Sequence, residues 1–342
     1  MKKTVLITGG AGFIGINTAD HYIKKKYNVI ILDNLSRKGV EKNLTWLKKI
    51  HKNEFTFIKY DLKFTSKKLE KIVDGADIII HLAGQVAVTT SVQNPMDDFM
   101  SNALGTMNIL EAARKSSKKP IVLYSSTNKV YGDLEELKIL ETNTRYSFKT
   151  LPKGVNEKQP LDFHSPYGCS KGASDQYVRD YARIYGLKTV VFRQSCIYGP
   201  HQYGFEDQGW VAWFIIAVLL RKNITIYGNG KQVRDLLYID DLISAYDLAI
   251  KNIKVTSGQV YNLGGGVKNS ISVWQEFGPM LQKLFNREIP VKYKKIRPGD
   301  QSIFIADTSK AKRDFGWTPK IKLTVGLRRL FTWIQDNEKE FS

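Results

Sequence analysis

Tyr167 and Lys171 stand in Ser165-Pro166-Tyr167-Gly168-Cys169-Ser170-Lys171, and on a helix that spacing places both on one face, one turn apart. A free phenol titrates near 10 and is a poor base at neutral pH. A neighbouring ammonium favours the phenolate, so the pair has the make-up of a proton-transfer device. The same spacing occurs by chance in many helices, and its meaning depends on what lies in front of it.

What lies in front is Thr8-Gly9-Gly10-Ala11-Gly12-Phe13-Ile14-Gly15, directly after a strand-like run and opening a helix. Gly9, Gly12 and Gly15 permit a tight turn, close approach of a pyrophosphate and close helix packing. Phe13 and Ile14 begin the helix, whose free N–H groups and dipole favour phosphate. Asp33 ends the next strand-like run, where a carboxylate binds the adenosine ribose of a dinucleotide. A carboxylate there repels a 2′-phosphate, so NAD is expected rather than NADP. Arg37 and Lys38 nearby could soften that preference.

These groups must be held by the elements around them. Strand-like runs occur at Val5–Thr8, Val29–Asp33, Phe55–Tyr60, Ile78–Leu82, Ile121–Ser125 and Thr189–Arg193, with amphipathic stretches such as Asp97–Arg114 and Ser165–Tyr185 between several of them. The alternation predicts an α/β protein: a Rossmann-like, doubly wound parallel sheet with helices on both faces and ligands at the carboxyl ends of its strands. After Ser195 turn signals separate shorter elements, which predicts a smaller mixed α/β lobe. We expect a cofactor-binding domain over 1–193 plus about 236–264, and a substrate lobe over about 194–235 plus 265–342.

Composition narrows the class. The chain has 342 residues, 42% hydrophobic and 25% charged, as in ordinary globular proteins, with no low-complexity tract and no repeat of solenoid period. No secretory signal pattern opens it, and the apolar run Trp210–Leu220 is too short to span a bilayer, so no membrane role is expected. Cys169 and Cys196 define neither a disulfide framework nor a zinc site, no metal is expected, and a reducing cytoplasm is the natural setting. The net charge of +19 is spread over scattered lysines without a nucleic-acid-binding motif. It reads as a solvated surface that could also draw in a diphosphate, and no nucleic-acid partner is expected.

The Gly-x-x-Gly-x-x-Gly spacing and the Tyr-x-x-x-Lys pair resemble the short-chain dehydrogenase/reductase superfamily, in its extended branch. The resemblance continues through Asp61-Leu62, His81-Leu82-Ala83-Gly84 and Asn102. It implies that Asp61 and Leu62 lie by the adenine, that Leu82, Ala83, Gly84 and Gln85 pass the cofactor, and that Asn102 and Ser125 border it. It further implies that Thr127 bonds the reacting sugar hydroxyl, although a Ser/Thr-rich turn can also serve only its own backbone. Superfamily dehydratases carry Asp-Glu where this chain has Asn128-Lys129, so dehydration is not expected. Arg234, in Gly228–Asp235, and Arg297, in Arg297-Pro298-Gly299-Asp300, resemble the two arms that bind a nucleotide diphosphate, with Asp300 on a ribose hydroxyl. Planar guanidiniums suit that task, though structural ion pairs are the alternative. Cys196 stands where the superfamily often has a substrate-contacting asparagine, which implies a different sugar or orientation.

Finer details resemble the family of CDP-tyvelose (CDP-paratose) 2-epimerases. They include Asp33-Asn34-Leu35-Ser36-Arg37-Lys38-Gly39, His81–Ala87, Tyr131–Glu135, Glu141–Tyr146, Leu161–Tyr167 and Asp207-Gln208-Gly209-Trp210-Val211. The resemblance implies a CDP-sugar substrate, contacts from Gln85 and Gln208, cofactor contacts from Asn34 and Ser36, and a homodimer or homotetramer built on paired helices. It implies catalysis by Thr127, Tyr167 and Lys171. Two alternatives stay open: a UDP-hexose 4-epimerase of the same branch, and a non-catalytic NAD- or polyanion-binding protein. His164 could touch substrate or be a satisfied structural histidine.

Overall fold

The strand-like runs are apolar at consecutive positions, so both faces of any sheet they form must be covered. The computed structural model, which describes residues 2–297 and 300–341, covers both. Seven parallel strands lie in the order Gln259–Leu263, Thr189–Gln194, Ile121–Thr127, Ile78–His81, Thr4–Thr8, Asn28–Asp33, Phe55–Lys59. Val5, Ile7, Ile78 and Ile80 enter the core on one face, while Leu6, Ile79, Val122 and Tyr124 enter the core on the other. Each aliphatic side chain so removed from water contributes about 1.5–3 kcal/mol.

The strand predicted to end at Ser125 continues to Thr127, because its pairing with the neighbouring strand runs on to Thr127 opposite Gln194. Gln259–Leu263, absent from the predicted strands, pairs on the other side of Thr189–Gln194. Polar Asn262 interrupts its apolar run, and the structure satisfies that amide with the Tyr131 hydroxyl and the Val155 carbonyl. Strand order reverses between Thr4–Thr8 and Ile78–His81, where Thr8 lies opposite His81. A crevice opens at such a reversal. The chain there is crowded: a Cβ on Gly9 would come within 2.7 Å of the Ala83 nitrogen, and its φ is +66°.

Two helices face this crevice. Ser165–Tyr185 is one unbroken helix, with Pro166 in its first turn and left-handed Gly186 ending it. The stretch predicted as a single helix over Asp97–Arg114 is instead Pro95–Phe99, a π-turn at Met100–Leu104, and Gly105–Lys115. The Asn102 carbonyl accepts hydrogen bonds from the Thr106 and Ser174 hydroxyls at 2.6 and 3.1 Å. Such turns gather at functional sites, and apolar periodicity alone does not distinguish one from a regular turn.

The remaining strands form small sheets. Val233–Tyr238 pairs with Cys196–Tyr198, Ser270–Ser272 and Ile303–Phe304, and Ile224–Tyr227 pairs with Val291–Lys294. The apolar helix Trp210–Leu219 is largely buried beside them. Among the described residues no helix is long and apolar enough to cross a membrane.

One buried ion pair ties the long helix to the sheet. Arg193 Nε and Nη2 donate to the two Asp175 oxygens, both at 2.9 Å, and the Ser126 hydroxyl donates to Asp175 Oδ2 at 2.8 Å. Removing one partner leaves a buried charge uncompensated. Asp175→Ala is therefore expected to destabilise the protein by about 3–5 kcal/mol in chemical denaturation. A loss under about 1 kcal/mol, the worth of an exposed pair, would show that the fork does not anchor the helix.

Candidate active site

The turn after the first strand forms a cradle. Gly9 N donates to the Leu32 carbonyl at 2.8 Å, and Gly12 heads the helix Phe13–Lys24 with no side-chain cap. The first-turn N–H groups of Phe13, Ile14 and Gly15 thus retain anion-binding capacity. The Asp33 carboxylate accepts from the Ala11 and Leu35 nitrogens at 3.0 and 2.8 Å. Burial raises its pKa, and those two N–H groups oppose the rise. The Asn34 amide reaches the Asp61 carboxylate at 3.1 Å, and its carbonyl oxygen accepts from Ser36 N at 3.0 Å. Leu62 is buried beside them, and Ser36 and Arg37 lie exposed at the rim.

Leu82, Ala83 and Gly84 follow the fourth strand, with Ala83 N donating to the Thr8 hydroxyl at 3.3 Å. Gln85, the next residue, exchanges hydrogen bonds between its side-chain amide and the Ala87 backbone. Asn102 donates to Asp98 at 3.1 Å and to Ser170 at 3.0 Å, while its own carbonyl oxygen Oδ1 is buried without a partner. A crowded glycine turn, an uncapped helix start, a carboxylate at the second strand's end and an unpaired amide oxygen together fit a dinucleotide such as NAD.

Thr127, Tyr167 and Lys171 converge where the Ile121–Thr127 strand ends, and all three are buried. Burial pushes the Tyr167 phenol up to about 12, with a hydrogen bond to Thr127 pulling it back and Asp98 pushing it further. Burial also brings Lys171 down to about 7, opposed by Asp175 and Asp98. Its ammonium donates to the Ser125 carbonyl at 2.5 Å and lies 4.3 Å from the Tyr124 ring centroid. Helical spacing predicts that the lysine favours the phenolate, whereas the influences on the phenol in the structure are burial, Thr127 and Asp98.

Behind this trio lies a polar network that the spacing of motifs does not disclose. Ser170 Oγ donates to Asp98 at 2.5 Å. The Thr8 hydroxyl sits 2.6 Å from His81 Nδ1, and His81 Nε2 sits 3.0 Å from the Thr106 hydroxyl. Because Thr106 donates to the Asn102 carbonyl, the network assigns the His81 proton to Nε2. Burial takes His81 down to about 3, so the ring is neutral. Asp98 and Ser170 lie one turn from Asn102 and Ser174 respectively, a periodicity visible in sequence. Polar residues at that spacing normally mark a solvated helix face.

At the substrate end, Arg234 Nη2 donates to Asp300 at 2.7 Å, and Lys129 Nζ lies 3.7 Å from the same oxygen. Burial lowers the Lys129 pKa, Asp300 opposes this, and Arg234 adds to it. Cys196 is half-buried near these groups, its pKa raised by burial and lowered by Arg234. Arg297 has other partners than Arg234: it pairs with Asp207 at 3.0 Å and stacks 3.7 Å from the Tyr227 ring centroid. Pro298 and Gly299, the middle of that predicted arm, lie outside the described residues. Gln208 exchanges backbone hydrogen bonds with Phe205. Asn128 is structural, bonded to buried Gln301 at 2.8 Å, and His164 is held between Asp133 and Asp162 at 2.9 Å each.

Comparison with known proteins extends this picture over the whole chain. A profile described as GDP-mannose 4,6 dehydratase matches residues 6–330. The chain is 45% identical over 335 residues to the CDP-paratose 2-epimerase of Salmonella typhi, covering 96% of this chain and 98% of that one. The crystal structure of UDP-glucose 4-epimerase from Thermotoga maritima, with UDP-glucose, superposes with a TM-score of 0.83 at 31% identity, covering 98% of this chain and 99% of that one. UDP-glucuronic acid 4-epimerase from Bacillus cereus, in complex with UDP-glucuronic acid and NAD, also gives a TM-score of 0.83, at 27% identity and the same coverage. With the glycine cradle, the buried Thr-Tyr-Lys trio and a family match from the first strand to the last long helix, the chain belongs to the GDP-mannose 4,6 dehydratase family of enzymes, in the extended branch of the short-chain dehydrogenase/reductases.

Proposed function

We propose that this enzyme interconverts CDP-paratose and CDP-tyvelose by transient oxidation at carbon 2 of the sugar, with NAD as its cofactor. The observation that carries this reading within the family is the pair beside Thr127. Asn128 is an amide held by Gln301, and Lys129 is a cation facing Asp300. Neither can act as the carboxylic acid that expels water in a dehydratase, whereas the Thr127, Tyr167 and Lys171 needed for oxidation at a hydroxyl are present. The 45% identity to a CDP-paratose 2-epimerase supports the choice of sugar.

Gly9, Gly12 and Gly15 would hold the pyrophosphate of NAD, Asp33 the adenosine ribose, Asp61 and Leu62 the adenine, and Lys171 the nicotinamide ribose. NAD, when bound, supplies the acceptor and then the donor of a hydride. The chain's own residues handle the proton. Thr127 orients the carbon 2 hydroxyl, and the Tyr167 phenolate accepts its proton, returning it to the same oxygen once carbon 2 has been reduced. The sugar lacks an oxygen at carbon 3, so a ketone at carbon 4 would not acidify the proton on carbon 2, and oxidation has to occur at carbon 2 itself. Inversion requires the keto sugar to present its opposite face, while Arg234 and Arg297 retain the diphosphate.

We assign the cofactor to the unit 1–193 plus about 236–264 and the CDP-sugar to about 194–235 plus 265–342. We further propose a homodimer or homotetramer formed on the exposed apolar residues Met96, Phe99, Tyr177 and Ile184. Free Cys169 and Cys196 suit a reducing cytoplasm.

Incubation with CDP-paratose, CDP-tyvelose and UDP-hexoses, with products resolved by chromatography, tests the substrate. Turnover of only a UDP-hexose at carbon 4 would replace this reading by its nearest rival. Tyr167→Phe should lower turnover by about 10²–10⁴-fold while bound NAD is retained, and near-normal turnover would refute its role. Because the phenol sits above its ordinary value, turnover should rise with pH as Tyr167 loses its proton. Lys171→Met removes the side chain proposed to hold the nicotinamide ribose and should lower turnover by about tenfold or more; unchanged turnover would dissociate the lysine from the reaction. Sedimentation analysis of Phe99→Asp should show smaller particles than the wild type if the exposed face is the interface.

A further inference from the structure

Pro200–Gln208 folds back across the glycine-rich turn, and two asparagines fasten its start. Asn17 Nδ2 donates to the Pro200 carbonyl at 2.9 Å and to the Phe13 carbonyl at 2.8 Å. Asn43 Nδ2 donates to the His201 carbonyl at 3.3 Å and to the Ala11 carbonyl at 3.1 Å. Each amide therefore clips this segment to the turn or helix that would hold the pyrophosphate.

Aromatic rings lock the segment from behind. Buried His201, in the left-handed region at φ +67°, has its ring centroid 3.8 Å from Trp46 and 5.0 Å from Trp333. Burial takes it down to about 4, so it sits there uncharged. Tyr203 meets Trp333 edge-on at 5.9 Å and lies 5.3 Å from Phe341. Its other side rests on Gly39, where an added Cβ would lie 3.1 Å from the Tyr203 side chain and where φ is +91°. Lys42 ties the outer edge, pairing with Glu340 at 3.6 Å and lying 5.7 Å from the Tyr203 ring centroid. Between this segment and the turn lies a cleft lined by Gly12, Phe13, Arg37, Gln202 and Tyr203. The Gln202 side-chain oxygen is buried there without a partner.

We propose that Pro200–Gln208 is a roof over the adenosine diphosphate half of NAD, locked by Trp333 and its neighbours, and that it keeps the cofactor bound through successive turnovers. The proposal rests on the reading of this site as an NAD site. An epimerase that returns the hydride it removed needs the same cofactor molecule throughout, since loss of the reduced form would strand an oxidised sugar. Retention is a matter of dissociation rate. Release requires the roof to lift, which breaks both amide clips and withdraws His201 from contact with two indoles. Trp333 and Glu340 lie behind the roof, outside the residues lining the cleft, so altering them acts on retention rather than on contact with the cofactor.

The test compares full-length wild type and Trp333→Ala. NAD per chain is measured after gel filtration, the rate of NAD loss is followed on dilution, and thermal unfolding verifies the fold. The wild type should keep its NAD, and Trp333→Ala should lose it about tenfold faster or more, with activity at high dilution restored by added NAD. If Trp333→Ala does not fold, the exposed change Glu340→Ala should accelerate loss in the same direction by several-fold. A folded variant that releases NAD at the wild-type rate overturns the roof. A wild type with no affinity for NAD overturns the cofactor reading beneath it.

Discussion

The fork between Arg193 and Asp175 is the contact on which the arrangement of the site depends. One carboxylate collects donors from two strands and holds a helix to both: Arg193 lies on Thr189–Gln194 and Ser126 on Ile121–Thr127. Tyr167, Lys171 and Asp175 follow one another at four-residue intervals, so the anchored carboxylate and the two functional groups share one face of the helix. Asp175 also keeps Lys171 from losing its charge still more readily, since its field opposes the cost of burial. Arg193 in turn contacts the Tyr131 hydroxyl, which donates to Asn262 on the outermost strand. The register of the catalytic helix is thereby set by polar contacts across three neighbouring strands, in a core where apolar packing alone would tolerate sliding.

Burial is the largest influence on ionisation at this site. It makes the phenol harder to ionise, the lysine easier to discharge and His81 neutral. The ionic form of the Tyr167–Lys171 pair is then favoured by specific partners: the Thr127 hydroxyl toward the phenol, and Asp98 and Asp175 toward the ammonium. The net charge of +19 does little here. Most of the ion-paired lysines lie at the surface, where solvent and salt weaken their reach.

Much of this architecture was legible in the residues. Strands buried on both faces read as continuous apolar runs, and the glycine turn with Asp33 marks the crevice. The helix Ser165–Tyr185 was marked at both ends, by Pro166 and by Gly186. What stayed hidden depends on partners distant in sequence. Asn262 looks like a break in a strand until Tyr131 and Val155 are placed against it. Asp98 and Ser170 look like solvated helix positions until the two helices face each other. Arg234 and Arg297 looked like equivalent arms, yet one pairs with Asp300 and the other with Asp207. The segment at Pro200–Gln208 carries no short motif, because its position is set by Asn17, Asn43 and Trp333 from three separate elements.

The π-turn at Met100–Leu104 bears on how this sequence tolerates insertion and deletion. A regular helix advances about 100° per residue, and the wide turn holds one extra residue without disturbing the flanking turns. Deleting a residue there would restore ordinary pairing and leave Pro95–Phe99 and Gly105–Lys115 nearly in phase. The change would fall on Asn102, whose side chain bonds Asp98 and Ser170 and whose carbonyl receives the Thr106 and Ser174 hydroxyls. Length at this turn is consequently constrained by the contacts of one residue, Asn102, rather than by the pitch of the whole helix.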